Sequence, residues 1–362
     1  MEFSLSKTNR LIFFTILSVV VLYYGKEFLV PIAFAGILSM LFLSLSRRLE
    51  NKGMSKGAAA LCCVLIILII IGTIAALIGW QISSLSEDAP QMEQRITKMI
   101  TQLKETVSNT FGISQEKQQE MLKKQQEQGS GGLSKVVTGI LSSITGILVD
   151  GLLMLVYIFL LLTFRSHIKN FILQLVPADQ KPQTKKIIVQ ASKVAQQYLS
   201  GLGLMIVILW IMYGIAFSII GVKNAFFFAI LCGLLEIIPF IGNLAGNALT
   251  VLMAITQGGG TSMIIAILVT YALVQFIQSY ILEPLVVGAE VNINPLFTII
   301  AIVAGELIWG VPGMILAIPI LGVTKIVCDN VEGLKPYGFL IGKEKNGKES
   351  NFKEKVKGWF NK

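Results

Sequence analysis

Charge is scarce in this sequence. Only 14% of its 362 residues are Asp, Glu, Lys or Arg, against about a quarter in soluble domains. Histidine is scarcer still. The single one, His167, lies between Arg165 and Lys169 and reads as a solvated surface residue. With no second imidazole, neither a histidine-rich metal site nor a serine–histidine hydrolase is available. The four cysteines, Cys62, Cys63, Cys232 and Cys328, lack zinc-site spacing. Most lie in or against apolar runs and read as small packed residues. A GxxxxGK[ST] phosphate loop is absent, which excludes direct ATP drive of that kind. We therefore expect no enzyme, no catalytic residue, no metal ligands and no cofactor. The net charge of +9 does not imply a nucleic-acid partner, because the lysines gather beside apolar runs and in the tail. There they set topology and meet anionic headgroups.

What is abundant is apolar sequence: 54% of residues, with mean hydropathy +0.73. The class this implies is an all-α polytopic membrane protein. About 20 apolar residues cross a bilayer as a helix, and the runs give about eight spans. These are residues 11–24, 28–45, 57–82, 137–164, 201–222, 225–256, 262–282 and 296–327. Lys7, Arg10, the run 11–24 and Ala33-Phe34-Ala35 imitate a signal peptide. Lys26 and Glu27 intervene and apolar sequence resumes at once, so the run reads as an uncleaved first span.

Basic residues set the sides. Arg47, Arg48, Lys52 and Lys56 follow the second span. Arg165, Lys169, Lys181, Lys185, Lys186 and Lys193 follow the fourth. Both loops and both termini are expected in the cytoplasm, with residues 223–224 outside and 257–261 inside. The organisation is then three spans (1–85), an extracytoplasmic arm with a Gly hinge (86–132), a fourth span (133–164), a cytoplasmic helical arm (165–200), a four-span core (201–327) and a basic cytoplasmic tail (328–362). In the outer arm Met92, Ile96, Met99, Leu103 and Val107 form a narrow apolar seam. It suits a subunit contact and packing on its own chain equally. In the inner arm Pro177 ends one helix, and Asp179 is placed to cap the next.

Two runs are overlong and broken. Residues 225–256 carry Glu236, Pro239, Gly242 and Asn243; residues 296–327 carry Glu306, Gly310, Pro312 and Gly313. Proline removes a helix hydrogen bond, and backbone freed in hydrocarbon must line a cavity or pack on protein. Paired interrupted segments with intramembrane acids point to a transporter's substrate site. We expect spans six and eight, broken or re-entrant, to meet at mid-membrane. Gln275 and Gln278 of span seven lie three apart on one face and are expected nearby. The candidate site is thus Glu236, Pro239, Gly242, Asn243, Gln275, Gln278, Glu306, Gly310 and Gly313. Its proposed chemistry is the holding of a small polar solute, with Glu236 taking up and releasing H⁺ or binding Na⁺. Asp150 and Glu283 read as structural.

The stretch Glu236-Ile237-Ile238-Pro239-Phe240-Ile241-Gly242 resembles the signature of the autoinducer-2 exporter family. So does Gln275…Glu283-Pro284-Leu285-Val286-Val287-Gly288…Pro295…Gly305…Gly310…Gly313…Ala317-Ile318-Pro319, and Tyr198-Leu199-Ser200-Gly201 is similar to the start of that family's core. The resemblance covers essentially the whole chain. The sequence departs at Asn243, where the family usually has proline, at Leu202, usually glutamine, and at Glu306, where glycine is common. The resemblance implies a multi-pass inner-membrane secondary transporter that assembles as a homo-oligomer, such as a pentamer. It implies quorum-signal (autoinducer-2) export in some members and Na⁺(Li⁺)/H⁺ antiport in others. A non-transporting membrane scaffold is the third reading.

Overall fold

The computed structural model describes residues 5–80, 132–287 and 293–343. The outer-arm seam, the segment after Val287 and the end of the tail, with Trp359 and Phe360, lie outside the described residues. So does the side chain of Asp150. The described chain is helical, without a strand; one isolated antiparallel bridge pairs Ile293 with Gly342. Its helices are α1 (Leu5–Tyr24), α2 (Lys26–Asn51), α3 (Lys56–Trp80), α4 (Gly132–Gln174), α5 (Lys181–Ile220), α6 (Ala225–Leu235), α7 (Ile241–Thr256), α8 (Thr261–Ile277), α9 (Pro295–Trp309), α10 (Val311–Asn330) and the short α11 (Lys335–Ile341). Among the described residues, six stretches are long and apolar enough to cross a membrane: Lys26–Asn51, Lys56–Trp80, Gly151–Gln174, Ala178–Ile220, Thr261–Glu283 and Val311–Asn330. The protein is an all-α polytopic membrane protein.

The chain divides into two compact units. One holds residues 27–166 and 199–287. In it α2, α3 and α4 close on Ala35, Ala60, Cys63, Leu155, Ile158 and Leu162. The alanines and the cysteine let the backbones approach, as membrane helix packing requires. Arg165 pairs with Glu50. It also donates to Ser46 Oγ at 3.3 Å and to the Leu162 carbonyl at 3.2 Å. Ser46 Oγ in turn donates to Glu50 Oε1 at 2.9 Å. A second core in this unit joins the last half of α5 to α6, α7 and α8 through Leu209, Tyr213, Phe217, Phe228, Cys232, Met253 and Ile267.

The other unit holds residues 1–26, 167–198 and 288–362. Here α9 and α10 pack with α1, α11 and the first half of α5. Trp309 Nε1 donates to the Leu22 carbonyl at the end of α1, 2.9 Å away.

Both overlong runs are hairpins. α6 has 11 residues, or about 16 Å at 1.5 Å per residue, half of the roughly 30 Å hydrocarbon core. After it the chain reverses at Glu236–Phe240 and α7 returns along it. A Cβ placed on Gly242 would lie 1.6 Å from the Leu235 carbonyl oxygen, and one on Gly246 would lie 3.0 Å from both Cα and Sγ of Cys232. Register falling on one leg as it rises on the other defines antiparallel legs. Their open ends are tied together: the Lys223 amide donates to Gln257 Oε1 at 2.6 Å, and Gln257 Nε2 to the Gly221 carbonyl at 3.1 Å. The expectation that residues 223–224 and 257–261 lie on opposite faces is therefore corrected. Both sit at the same end of the hairpin.

The α9–α10 hairpin follows the same plan. Cβ atoms on Gly305 and Gly313 would meet each other's carbonyl oxygens at 2.4 and 1.9 Å. Its tip is Gly310, at φ 65° and ψ −145°, a conformation open to glycine and strained for other residues. At the open end, the Asn294 amide donates to the Ile341 carbonyl at 2.9 Å. Residues 293–294 therefore lie beside the stretch that follows α10, not across the membrane from it as a single span over 296–327 would require.

Helices also ignore the boundaries drawn at 164/165 and 200/201. α4 and α5 run on through them, since neither place holds a proline, and Gly201 weakens a helix by only about 1 kcal/mol. The break comes at Pro177, where Asp179 sits inside the 3₁₀ turn Ala178–Gln180. That turn has no side-chain cap bond, so Asp179 does not act as the expected N-cap.

Candidate functional site at the tip of the first hairpin

Helix α6 stops at Leu235 because Pro239 cannot donate to a carbonyl one turn back. The reversal is tight. The Ile241 amide donates to the Pro239 carbonyl at 2.7 Å across Phe240, which has φ 64° and ψ −50°. That is a γ-turn of the rare, strained positive-φ kind. Such strain persists only where the surroundings hold it, and it clusters at functional sites. The Gly242 amide then donates to the Ile238 carbonyl at 3.0 Å and starts α7.

Helix α8 supplies what the break lacks. Gln278 Nε2 donates to Glu236 Oε1 at 2.5 Å, on the α6 side of the tip. One helical turn away, Gln275 Oε1 accepts from Asn243 Nδ2, on the α7 side. The two glutamines thus bridge the gap in the hairpin from outside it. Around them, Asn247 Nδ2 donates to the Asn243 carbonyl and to its Oδ1, both at 2.9 Å. Tyr213 Oη donates to Asn243 Oδ1 at 3.4 Å, and Gln275 Nε2 to Ser279 Oγ at 3.2 Å. Asn243, Asn247 and Gln278 are buried, at 5%, 3% and 3% exposure. Three oxygens of this cluster remain: Glu236 Oε2, Gln278 Oε1 and Asn247 Oδ1 are buried and have no hydrogen-bond partner among the described residues. Buried acceptors are nearly always satisfied in folded proteins. A pair left open on adjacent residues, one of them a carboxylate, is a place for a donor or a cation.

The structure thus brings Glu236, Pro239, Gly242, Asn243, Gln275 and Gln278 together. Glu306, Gly310 and Gly313 belong to the other unit. There Gly310 makes the tip and Gly313 the close contact of the legs, while the side chain of Glu306 lies on an exposed face. Beyond Gln278 the helix widens into a π-helical stretch, Gln278–Val287, which contains the exposed Glu283. π-helical turns are rare and often mark functional segments. The sequence places Asn247 in the broken run but outside the candidate site, and it gives no sign of Tyr213 or Trp309. Asn247 was within reach, lying one turn after Asn243 on the same face.

A polytopic helical bundle with two broken hairpins, one of them carrying a buried carboxylate and amides at its tip, is the build of a membrane transporter. The profile described as "AI-2E family transporter" matches residues 12–333, and the chain belongs to that family. It is 21% identical over 313 residues to "Putative transport protein YrrI" of Bacillus subtilis, covering 83% of this chain and 86% of the relative. It is 24% identical over 311 residues to "Putative transport protein YueF" of the same organism, covering 83% of each. A "Putative transport protein" of Borreliella burgdorferi is 26% identical over 193 residues, 52% of this chain and 53% of the relative.

Proposed function

We propose that this protein is a secondary transporter that exports a small polar solute from the cytoplasm, with the first hairpin tip as its binding and coupling site. The observation carrying this is the pair of open acceptors, Glu236 Oε2 and Gln278 Oε1, at a strained break. Hydroxyl or amine donors of a polar solute would satisfy them at little cost in new structure. Autoinducer-2 is one such solute. Glu236 couples transport to H⁺ or Na⁺ by neutralising its charge when the solute leaves, so that no bare carboxylate stays at membrane depth. The same two oxygens favour a second reading, Na⁺(Li⁺)/H⁺ antiport, because hard cations take oxygen ligands.

The lysine and arginine bias supports a plasma-membrane protein with both termini in the cytoplasm. Two returning hairpins remove two crossings and leave the number even. A homo-oligomer, such as a pentamer, is the assembly we expect.

Glu236→Gln tests the site. It keeps the shape and can still accept from Gln278, but it neither titrates nor carries charge. In proteoliposomes with an imposed proton or sodium gradient, flux of candidate solutes and of Na⁺ should be lost while thermal stability stays at the wild-type value. Wild-type flux from this variant would remove Glu236 from the coupling role.

A further inference from the structure

α11 is a clasp across the open end of the second hairpin. It touches the first leg through the bond from the Asn294 amide to the Ile341 carbonyl and through the Ile293–Gly342 bridge. It touches the second through Gly338, where a Cβ would stand 2.3 Å from Asp329 Oδ1 and 3.0 Å from its amide nitrogen. While Gly338 is buried in that contact, the opposite face is bare and apolar. Tyr337, Phe339 and Leu340 are 59%, 85% and 56% exposed.

The first half of α5 is joined to the same end of α10. Gln183 donates to the Asn330 carbonyl, and Asn330 Nδ2 to Gln190 Oε1 at 3.3 Å. This half of α5 is two-faced. Ala191, Val194, Ala195 and Tyr198 are buried, while Lys181, Lys185, Lys186 and Lys193 are exposed. At 100° per residue those lysines fall within about 140° of arc. The nearby carboxylates are already engaged, Asp329 by Lys325 and Glu332 by Lys335. Asp179 is the only acid between residues 167 and 198, against five lysines.

We propose that this surface, the apolar face of α11 with the lysine face of α5, binds anionic phospholipid headgroups and holds the open end of the second hairpin at the membrane surface. Aromatic and aliphatic side chains beside lysines are the makeup of an interfacial contact. The charge is complementary to an acidic leaflet, and the surface is continuous with helices that enter the bilayer. The inference rests on the membrane fold and not on the solute reading.

The test is native mass spectrometry of the full-length protein in detergent, titrated with phosphatidylglycerol or phosphatidylcholine. The wild type should prefer phosphatidylglycerol by at least roughly tenfold, since each lysine near such a surface is worth about fivefold. The combined variant Lys185→Gln, Lys186→Gln, Lys193→Gln should bring the two lipids close to parity, and Lys→Arg at the same positions should retain the preference. Phe339→Ser with Leu340→Ser should weaken both lipids alike. A glutamine variant that keeps the preference overturns the proposal. If that variant fails to fold, the wild type still decides. Its preference should fall as salt rises from about 0.05 to 0.5 M, and a preference indifferent to salt overturns the proposal as well.

Discussion

Gly242→Ala puts one methyl group where the first hairpin is closest. The new carbon would stand 1.6 Å from the Leu235 carbonyl oxygen, 2.4 Å from the carbonyl carbon and 3.3 Å from the Glu236 nitrogen. The obstacle is backbone, so no side chain can rotate out of the way and the legs must part at the tip. Overpacking costs about 1–3 kcal/mol, and backbone contacts belong at the upper end. Alanine for glycine in a helix returns about 1 kcal/mol, so the net loss should be about 2 kcal/mol. Gly246→Ala meets Cys232 at 3.0 Å, a contact that a small shift relieves, and should come out near neutral. Gly203→Ala in α5 has nothing within 4 Å and should gain up to about 1 kcal/mol from propensity alone. Thermal unfolding of the three variants in one detergent reads the order directly. Equal melting of the Gly242 and Gly203 variants would refute the antiparallel packing of α6 on α7, and with it the hairpin.

The other predictions test separate contacts. In a cysteine-free background, Lys223→Cys and Gly260→Cys should react with an impermeant maleimide from the same side of the membrane; labelling from opposite sides would restore a plain span. Arg165→Gln leaves Glu50, its side chain 16% exposed, without its partner. The pair is half-buried, so the loss should lie between that of an exposed pair and a buried one, about 1–2 kcal/mol, with Arg165→Lys recovering part in the same melting assay. Trp309→Phe deletes the bond to the Leu22 carbonyl and should cost about 1 kcal/mol. Quenching of the Trp309 signal, in a background where the other tryptophans are phenylalanine, should report any separation of the hairpin tip from α1.

The breaks were legible in the sequence and the reversals were not, for a physical reason. Pro239 and Gly310 announce where hydrogen bonding stops, and Glu236 marks a segment that lipid cannot surround. Whether the chain then goes on or turns back depends on which surfaces meet, and apolar content is the same either way. A faint signal did exist: Gly242, Gly246 and Thr250 repeat at four-residue steps and Gly305 and Gly313 at eight, the stripes that let two helix backbones touch. The partnership of Gln275 and Gln278 with the broken span followed from their spacing. Their division of labour, one to each side of the break, needed the fold. The run-on of α4 and α5 past the expected ends of their spans was hidden because the edge of the bilayer stops hydrophobicity without stopping a helix.

The hairpin explains why the polar groups at its tip can exist at all. A helix of about 16 Å that entered hydrocarbon alone would leave its last carbonyls facing lipid, at several kcal/mol each. Turning back under Gly242 buries the Leu235 carbonyl against protein, and the Asn243–Gln275 and Glu236–Gln278 bonds dock both sides of the turn on α8. Satisfaction then stops three oxygens short, at Glu236 Oε2, Gln278 Oε1 and Asn247 Oδ1. Gln278 supplies the amide nitrogen that pairs with Glu236 Oε1, and its own oxygen is left without a partner beside Glu236 Oε2. A tip built only for stability has no use for that second acceptor, whereas a tip that takes up and releases a polar cargo needs acceptors that the protein itself does not occupy.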